Sequence, residues 1–338
     1  MFNLNNILRE NIKKTKPYSS ARDEYKGTEG VFLDANENAI GSVTSENYNR
    51  YPDPLQKEVK ERLGLLKNVG PKQIFLGNGS DEAIDLLFRA ICRPGIDNVI
   101  TMPPTYGMYE VSANINDVQV KEVPLTIDFE IQTEEVIAAI DKNTKMIFVC
   151  SPNNPTGNCL KSDSIEKILT SFDGIVAVDE AYIDFANDTS FVPKLEKFPN
   201  LVVLQTFSKA WGMAGLRLGT AYASEEIITI LNKIKPPYNI NQLTQNLALE
   251  ALGNVLKKEA MVAETLVQRE TLIKNLQKLN FILIKTLDGR KVYDFLIDKK
   301  IITRDRSKIT LCEGCIRITI GTAKENELLL NRLKEYNN

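Results

Sequence analysis

Apolar residues in this chain come in short runs separated by amphipathic stretches. The runs "IFLG" (74–77), "NVITM" (98–102), "QVKEVPL" (119–125), "KMIFVC" (145–150), "GIVAVDE" (174–180) and "NLVVLQT" (200–206) are rich in β-branched residues, which predicts strands. Between most of them the hydrophobic period lengthens. "SDEAIDLLFRAI" (80–91), "TEEVIAAI" (133–140) and "SDSIEKILTSF" (162–172) read as helices, the first opened by Ser80 and acidic residues that suit a helix N-terminus. Upstream, Leu55, Val59, Leu63 and Leu66 of "PLQKEVKERLGLL" (54–66) are spaced like one helical face. Buried apolar strands alternating with helices predict an α/β domain built on a mostly parallel sheet.

After "KPPYN" (235–239) the pattern changes. A long helical stretch runs from about Asn241 to Leu279, with a break expected near Gly253. Strand candidates "FILIKT" (281–286), "IITRD" (301–305) and "CIRITIG" (315–321) then alternate with helix 290–300 and a terminal helix from Ala323. At 338 residues the chain exceeds one ordinary core. The expected division is an N-terminal arm (1–30), a large α/β domain (31–245) and a smaller C-terminal α+β domain (246–338) reached through the long helix. The arm is expected to pack with the small domain or a partner subunit.

Composition removes several classes of function. Hydrophobic residues at 43% and charged residues at 25% describe a globular chain, and a net charge of −2 gives no electrostatic pull toward nucleic acid or an anionic membrane. No apolar run approaches the ~20 residues that span a bilayer, and "MFNLNNILRENIKKTKPYSS" has no secretory h-region. The expected location is cytoplasmic. Five scattered cysteines argue against a disulfide framework. Cys312 and Cys315 form a lone C-x-x-C with no second pair, so they read as small apolar residues beside a strand, and no metal site is expected. The chain contains no histidine, which leaves proton transfer to Lys, Tyr, Asp, Glu or Cys.

In open α/β sheets, ligands gather at the carboxyl ends of the strands. Four unusual stretches follow strands here. "GNGSDEA" (77–83) opens a helix, so the amides of Gly79, Ser80 and Asp81 can cup a phosphate. "SPNNPTG" (151–157) is a turn able to hold an asparagine amide, "VDEAY" (178–182) carries Asp179 and Tyr182, and "TFSKAWGMAGLRLG" (206–219) carries Lys209 and Arg217. Each alone has an ordinary explanation as a cap, a turn, a salt bridge or a solvated lysine. Together they match what pyridoxal 5′-phosphate requires: a lysine for the Schiff base, an aspartate for the pyridine nitrogen, donors for the ring oxygen and an anion cup. Lys209 and Asp179 take the first two roles, Asn154 and Tyr182 the third, and Ser80, Asp81, Ser208 and Arg217 the phosphate; Thr206 is grouped with them.

In this order the motifs "LDANEN", "YPDP", "GNGSDEAI", "PTYGMY", "SPNNPTG", "VDEAYIDF", "TFSKAWGMAGLRLG", "PYNIN" and "IRITIGT" resemble the fold-type I (class II) aminotransferases and, within them, the histidinol-phosphate aminotransferase family. The resemblance runs from about residue 16 to 322. It implies a seven-stranded sheet, with Tyr106 stacked on the cofactor ring. It also implies a homodimer with shared active sites, Tyr51 reaching the cofactor phosphate of the neighbouring subunit. Arg317 is the implied carboxylate or phosphate grip, with Arg304 and Tyr18 as further contacts to the substrate phosphate; Arg306 reads as surface charge. The implied reaction is a two-stage exchange through pyridoxamine phosphate, between L-glutamate/2-oxoglutarate and imidazole acetol phosphate/L-histidinol phosphate, in histidine biosynthesis. Ala39 stands where the family usually has proline, so no substrate contact is assigned there. The competing readings are an aromatic or broad-range aminotransferase, a threonine-phosphate decarboxylase, and a pyridoxal-phosphate-binding regulator, which normally adds a DNA-binding domain.

Overall fold

The computed structural model of the protein describes residues 2–18, 30–31, 33–186, 189–275 and 283–337. One sheet contains β1 (Ile74–Asn78), β2 (Asn98–Thr101), β3 (Gln119–Glu122), β4 (Thr144–Cys150), β5 (Ile175–Asp179), β6 (Leu201–Thr206) and β7 (Leu218–Ala223), in the order β1-β7-β6-β5-β4-β2-β3. From β3 to β6 all pairings are parallel, whereas β7 runs antiparallel to both β1 and β6. Burial alternates with the pleat. In β5, Ile175 and Ala177 enter one apolar core while Val176 and Val178 enter the core on the opposite face. Helices cover both faces, which is why the central strands read as continuous apolar runs.

Six strands lie at the runs that predicted them, and β7 is the one that the hydrophobic pattern does not announce. Its Gly219 passes so close to the β1 turn that a Cβ there would sit 2.1 Å from Ser80 N and 2.2 Å from Gly79 C. Small residues are therefore required where a strand signal would otherwise stand. The helix expected over 54–66 forms at Lys57–Lys67, because Gln56 takes a left-handed conformation with φ 51°. Val59 and Leu63 are buried, but Leu55, ahead of the helix, and Leu66 are exposed.

The described part of the arm packs on the large domain. Its helices Leu4–Ile7 and Glu10–Lys14 place Leu4 and Leu8 in the core beneath helix Ser80–Ile91. The arm is pinned there by Arg9 N–H on Ala90 O (3.1 Å) and by Lys233 Nζ on Ile12 O (2.7 Å). Apolar residues inside a polar-looking segment found the nearest uncovered helix face.

The C-terminal unit follows helices Gln242–Leu252 and Val255–Asn275, broken at Gly253 where the glycine predicted it. Its sheet, in the order β8-β10-β9, contains β8 (Leu283–Lys285), β9 (Arg304–Asp305) and β10 (Cys315–Arg317). These strands are shorter than the runs predicting them, and the first of those runs begins outside the described residues. Beyond Arg317 the chain leaves its ladder, and residues 318–320 line a cavity instead. Cys312 and Cys315 are buried free thiols packed with Leu283, filling the interior as small apolar residues.

Candidate active site

The carboxyl ends of β1, β4, β5 and β6 open at one edge of the large sheet. A cavity of about 130 Å³ there is lined by Gly79, Ser80, Asp81, Tyr106, Asn154, Asp179, Tyr182, Thr206, Ser208, Lys209 and Arg217. Five separate stretches of sequence thus meet around one small space. A second cavity of about 390 Å³ shares Tyr182, Ser208 and Lys209 with it and continues to Arg269, Arg317 and residues 318–320 of the small domain.

Asp179 ends β5 and is buried. Its Oδ1 accepts the Ala181 N–H at 3.0 Å, and its Oδ2 accepts the Tyr109 hydroxyl at 2.7 Å. Burial pushes the carboxyl's proton affinity up, and these two donors oppose that push. The adjacent Glu180 points to the opposite face. There it takes hydrogen bonds from Phe191 N (2.6 Å), Ser190 Oγ (2.6 Å) and Gln205 Nε2 (2.8 Å), holding the strand end rigid. Lys209 follows β6 with its Nζ 5.4 Å from the centre of the Tyr182 ring. Its amine is made more acidic by burial first and then by the charges of Arg317 and Arg217, against which Asp179 and Asp81 act. A lysine with a depressed proton affinity spends more time as the free amine, the form that acts as nucleophile and base.

The cup beside Lys209 is built on close backbone approach. Gly79 has φ +74°, its N–H donates to Arg217 O at 2.7 Å, and a Cβ on it would meet Arg217 Nη2 at 2.8 Å. Ser80 then begins a 12-residue helix, which adds unpaired amides and a positive dipole end. Thr206 Oγ1 orients Ser208, donating to its hydroxyl at 3.0 Å and accepting its N–H at 3.1 Å. Tyr106 lines the wall, its hydroxyl 3.2 Å from Asp81 Oδ1. Asn154 is held from the small domain, its Oδ1 accepting Arg317 Nη1–H at 2.6 Å. An anion cup that a Cβ would fill, a buried carboxylate without an ion-pair partner among the described residues, and one lysine between them fit pyridoxal 5′-phosphate.

Three predicted residues lie away from the cavity walls of their own chain. Tyr51 stacks on Tyr238 at 4.5 Å and borders a separate hollow of about 470 Å³, in which no lysine takes part. Tyr18 is exposed at the edge of the segment 19–29, which lies outside the described residues. Arg304 is exposed on β9, opposite Arg317 in the ladder. Arg306 is not surface charge: it is half-buried, and its Nε is enclosed without a hydrogen-bond partner among the described residues. Tyr109 escaped the sequence reading, although it stands three residues after Tyr106 in a quoted motif; nothing local to it indicates a partner 70 positions away. Arg269, on the cavity wall, escaped for the same reason.

Residues 23–333 match the family model for aminotransferase class I and II. A histidinol-phosphate aminotransferase of Cytophaga hutchinsonii is 62% identical over 346 aligned positions, which cover 99% of each chain. That of Parabacteroides distasonis is 52% identical over 345 positions, again 99% of each. Among solved structures, histidinol-phosphate aminotransferase from Sinorhizobium meliloti in complex with pyridoxal-5′-phosphate superposes with a TM-score of 0.79. It covers 89% of both chains at 21% identity, a likeness of fold.

Proposed function

The chain belongs to the class I and II aminotransferases, and from that membership we propose that it exchanges an amino group between L-glutamate and imidazole acetol phosphate, giving 2-oxoglutarate and L-histidinol phosphate. The observation that carries this choice of substrates is the 62% identity to a histidinol-phosphate aminotransferase over essentially the full length. That identity supports a role in histidine biosynthesis, and the proposal takes the enzyme to act in the cytoplasm. The cavity supports the chemistry independently through the opposed pair Asp179 and Lys209.

Pyridoxal 5′-phosphate, when bound, supplies a reactive carbon for the amino group and an electron-withdrawing ring. Asp179 holds the ring nitrogen protonated, and Asn154 and Tyr182 bond the ring oxygen. Tyr106 covers a ring face. Gly79, Ser80, Asp81, Thr206, Ser208 and Arg217 form and support the phosphate cup. Lys209 Nζ would hold the cofactor through its carbonyl carbon. As a free amine beside the substrate Cα, the same Nζ would take the Cα proton and hold it for return, so no other base is required. Arg317, Arg304 and Tyr18 bind the substrate anion. The Arg317–Asn154 bond supports a coupling between substrate binding and the small domain's position over the ring.

A homodimer with shared active sites completes the proposal, with Tyr51 serving the cofactor phosphate of the second copy. Exposed Val31, Leu33, Ile40 and Val43 precede Tyr51 on the same stretch, an apolar surface suited to a protein partner. The test is a half-reaction panel. The amino form of the holoenzyme is offered imidazole acetol phosphate, phenylpyruvate and other oxo acids, and its spectrum is followed; O-phosphothreonine is assayed separately for carbon dioxide release. Preference for imidazole acetol phosphate is expected, and a faster reaction with any competitor would overturn the substrate choice. Lys209→Ala is expected to lose turnover and the absorption of the covalently held cofactor while still folding.

A further inference from the structure

The small-domain sheet that delivers Arg317 to the cavity wall carries two more arginines behind it, more positive charge than a carboxylate needs. β9 and β10 pair with Arg304 opposite Arg317, and the Arg306 N–H donates to Cys315 O at 2.9 Å, so the pairing continues past β9. Side chains alternate along such a ladder, which puts Arg304 and Arg306 on one face. The Arg306 Nε is enclosed and has no hydrogen-bond partner among the described residues. Among the described residues, none of Arg304, Arg306 and Arg317 has a carboxylate ion pair. The neighbouring Asp305 is engaged by Ser307 N–H (2.9 Å) and Arg290 (3.7 Å), and Arg317 is turned to Asn154. Burial lowers the proton affinity of Arg306, and the charges of Arg317 and Arg304 lower it further. Of the groups that oppose them, Cys312 is a buried thiol and Tyr182 is the residue over which Lys209 lies.

We propose that Arg306 is a third anion-binding guanidinium of the substrate pocket, and that it determines specificity for a dianionic phosphate ester over a carboxylate. A buried donor left unmade is costly, and like charges held together repel. A phosphate ester relieves both, bringing close to two negative charges and three acceptor oxygens at neutral pH. A carboxylate brings one charge and two oxygens, which Arg317 alone satisfies in a bidentate pair. Arg306 therefore discriminates between the two substrates that the one pocket must accept in turn. The inference rests on the substrate reading above.

The experiment is a spectral titration of the holoenzyme with L-histidinol phosphate and with L-glutamate, comparing wild type, Arg306→Gln and Arg306→Lys. In Arg306→Gln the dissociation constant for L-histidinol phosphate is expected to rise about 10- to 100-fold, while that for L-glutamate moves less than about 3-fold. Arg306→Lys restores the charge without the planar fork and recovers part of the loss. In wild type the affinity for L-histidinol phosphate strengthens as pH rises through the second ionisation of the phosphate, near pH 6, and in Arg306→Gln that rise flattens. A merely structural arginine would not move this profile. Equal weakening toward both substrates, an unchanged affinity for L-histidinol phosphate, or an unaltered pH profile overturns the role. If Arg306→Gln fails to fold, the same comparison is decided on Arg306→Lys. A wild type that binds no L-histidinol phosphate overturns the substrate reading and this inference together. A wild type that binds it, with variants that behave alike, overturns only the role of Arg306.

Discussion

Removing one oxygen atom from the core tests how the buried carboxylate at the cofactor ring is controlled. Tyr109 is fully buried, its ring stacked on Phe148 at 4.6 Å and met edge-on by Tyr106 at 5.5 Å. Tyr109→Phe keeps those contacts and leaves no large cavity. It removes the 2.7 Å hydrogen bond to Asp179 Oδ2, while the Ala181 N–H on Oδ1 remains. A hydrogen bond to an ionised group contributes roughly 1.5–3 kcal/mol, or about one to two pK units. The sign follows from the donor's preference for the ionised carboxylate. Its loss adds to the upward push from burial, so more of Asp179 is neutral and unable to hold a protonated ring nitrogen. At neutral pH the dissociation constant for pyridoxal 5′-phosphate is expected to rise roughly 10- to 100-fold. The gap should narrow as rising pH ionises the carboxyl in the variant too. Equilibrium titration of the apoprotein by cofactor absorbance across pH measures this, with apoprotein melting as the folding control. Equal affinities at every pH, in a variant that melts like wild type, would refute the reasoning.

Two other perturbations reach different parts of the site. Arg317 is the strongest charge depressing Lys209 after burial, so Arg317→Gln should raise the lysine's proton affinity. The rate at which cofactor couples to apoprotein grows with the free amine, and its rising limb should move to higher pH in the variant; an unmoved limb would show the two charges uncoupled. For shared active sites, Lys209→Ala and Tyr51→Ala chains are mixed, unfolded and refolded together. In a statistical mixture of two-fold dimers, about a quarter of the sites combine an intact Lys209 with a partner's intact Tyr51. Activity should therefore exceed that of either variant alone, and a simple average would count against the exchange.

The residues that were easy to read are those whose role shows in their immediate neighbours. Gly79 before Ser80, Asp179 at the end of an apolar run and Lys209 after another announce strand-end chemistry within a few positions. β7 was hidden because the turn at Gly79 and Ser80 crowds against Gly219, and small residues erase the strand pattern. Leu55 matched a helical period, but Gln56 turns left-handed and the helix starts later. Tyr109 looked like any core aromatic until the fold set its hydroxyl against Asp179. Arg306 looked like solvated charge beside Arg304, and its partial burial, unlike the exposure of Arg304, depends on how the small domain packs around it.

The sequence by itself determined the α/β class, the strand ends at which ligands gather and the set of reactive groups delivered there. Periodicity and turn chemistry are local, and a chain without histidine leaves few candidates for proton transfer. The tertiary structure alone decided which of those groups meet. It set Tyr109 on Asp179, Arg317 on Asn154 across the two domains, and Arg306 into an enclosed position without a counter-charge among the described residues. Hydrogen bonds and charge interactions act over a few ångströms of space, and partners 70 or 163 positions apart become neighbours only when the sheet and the small domain close around them.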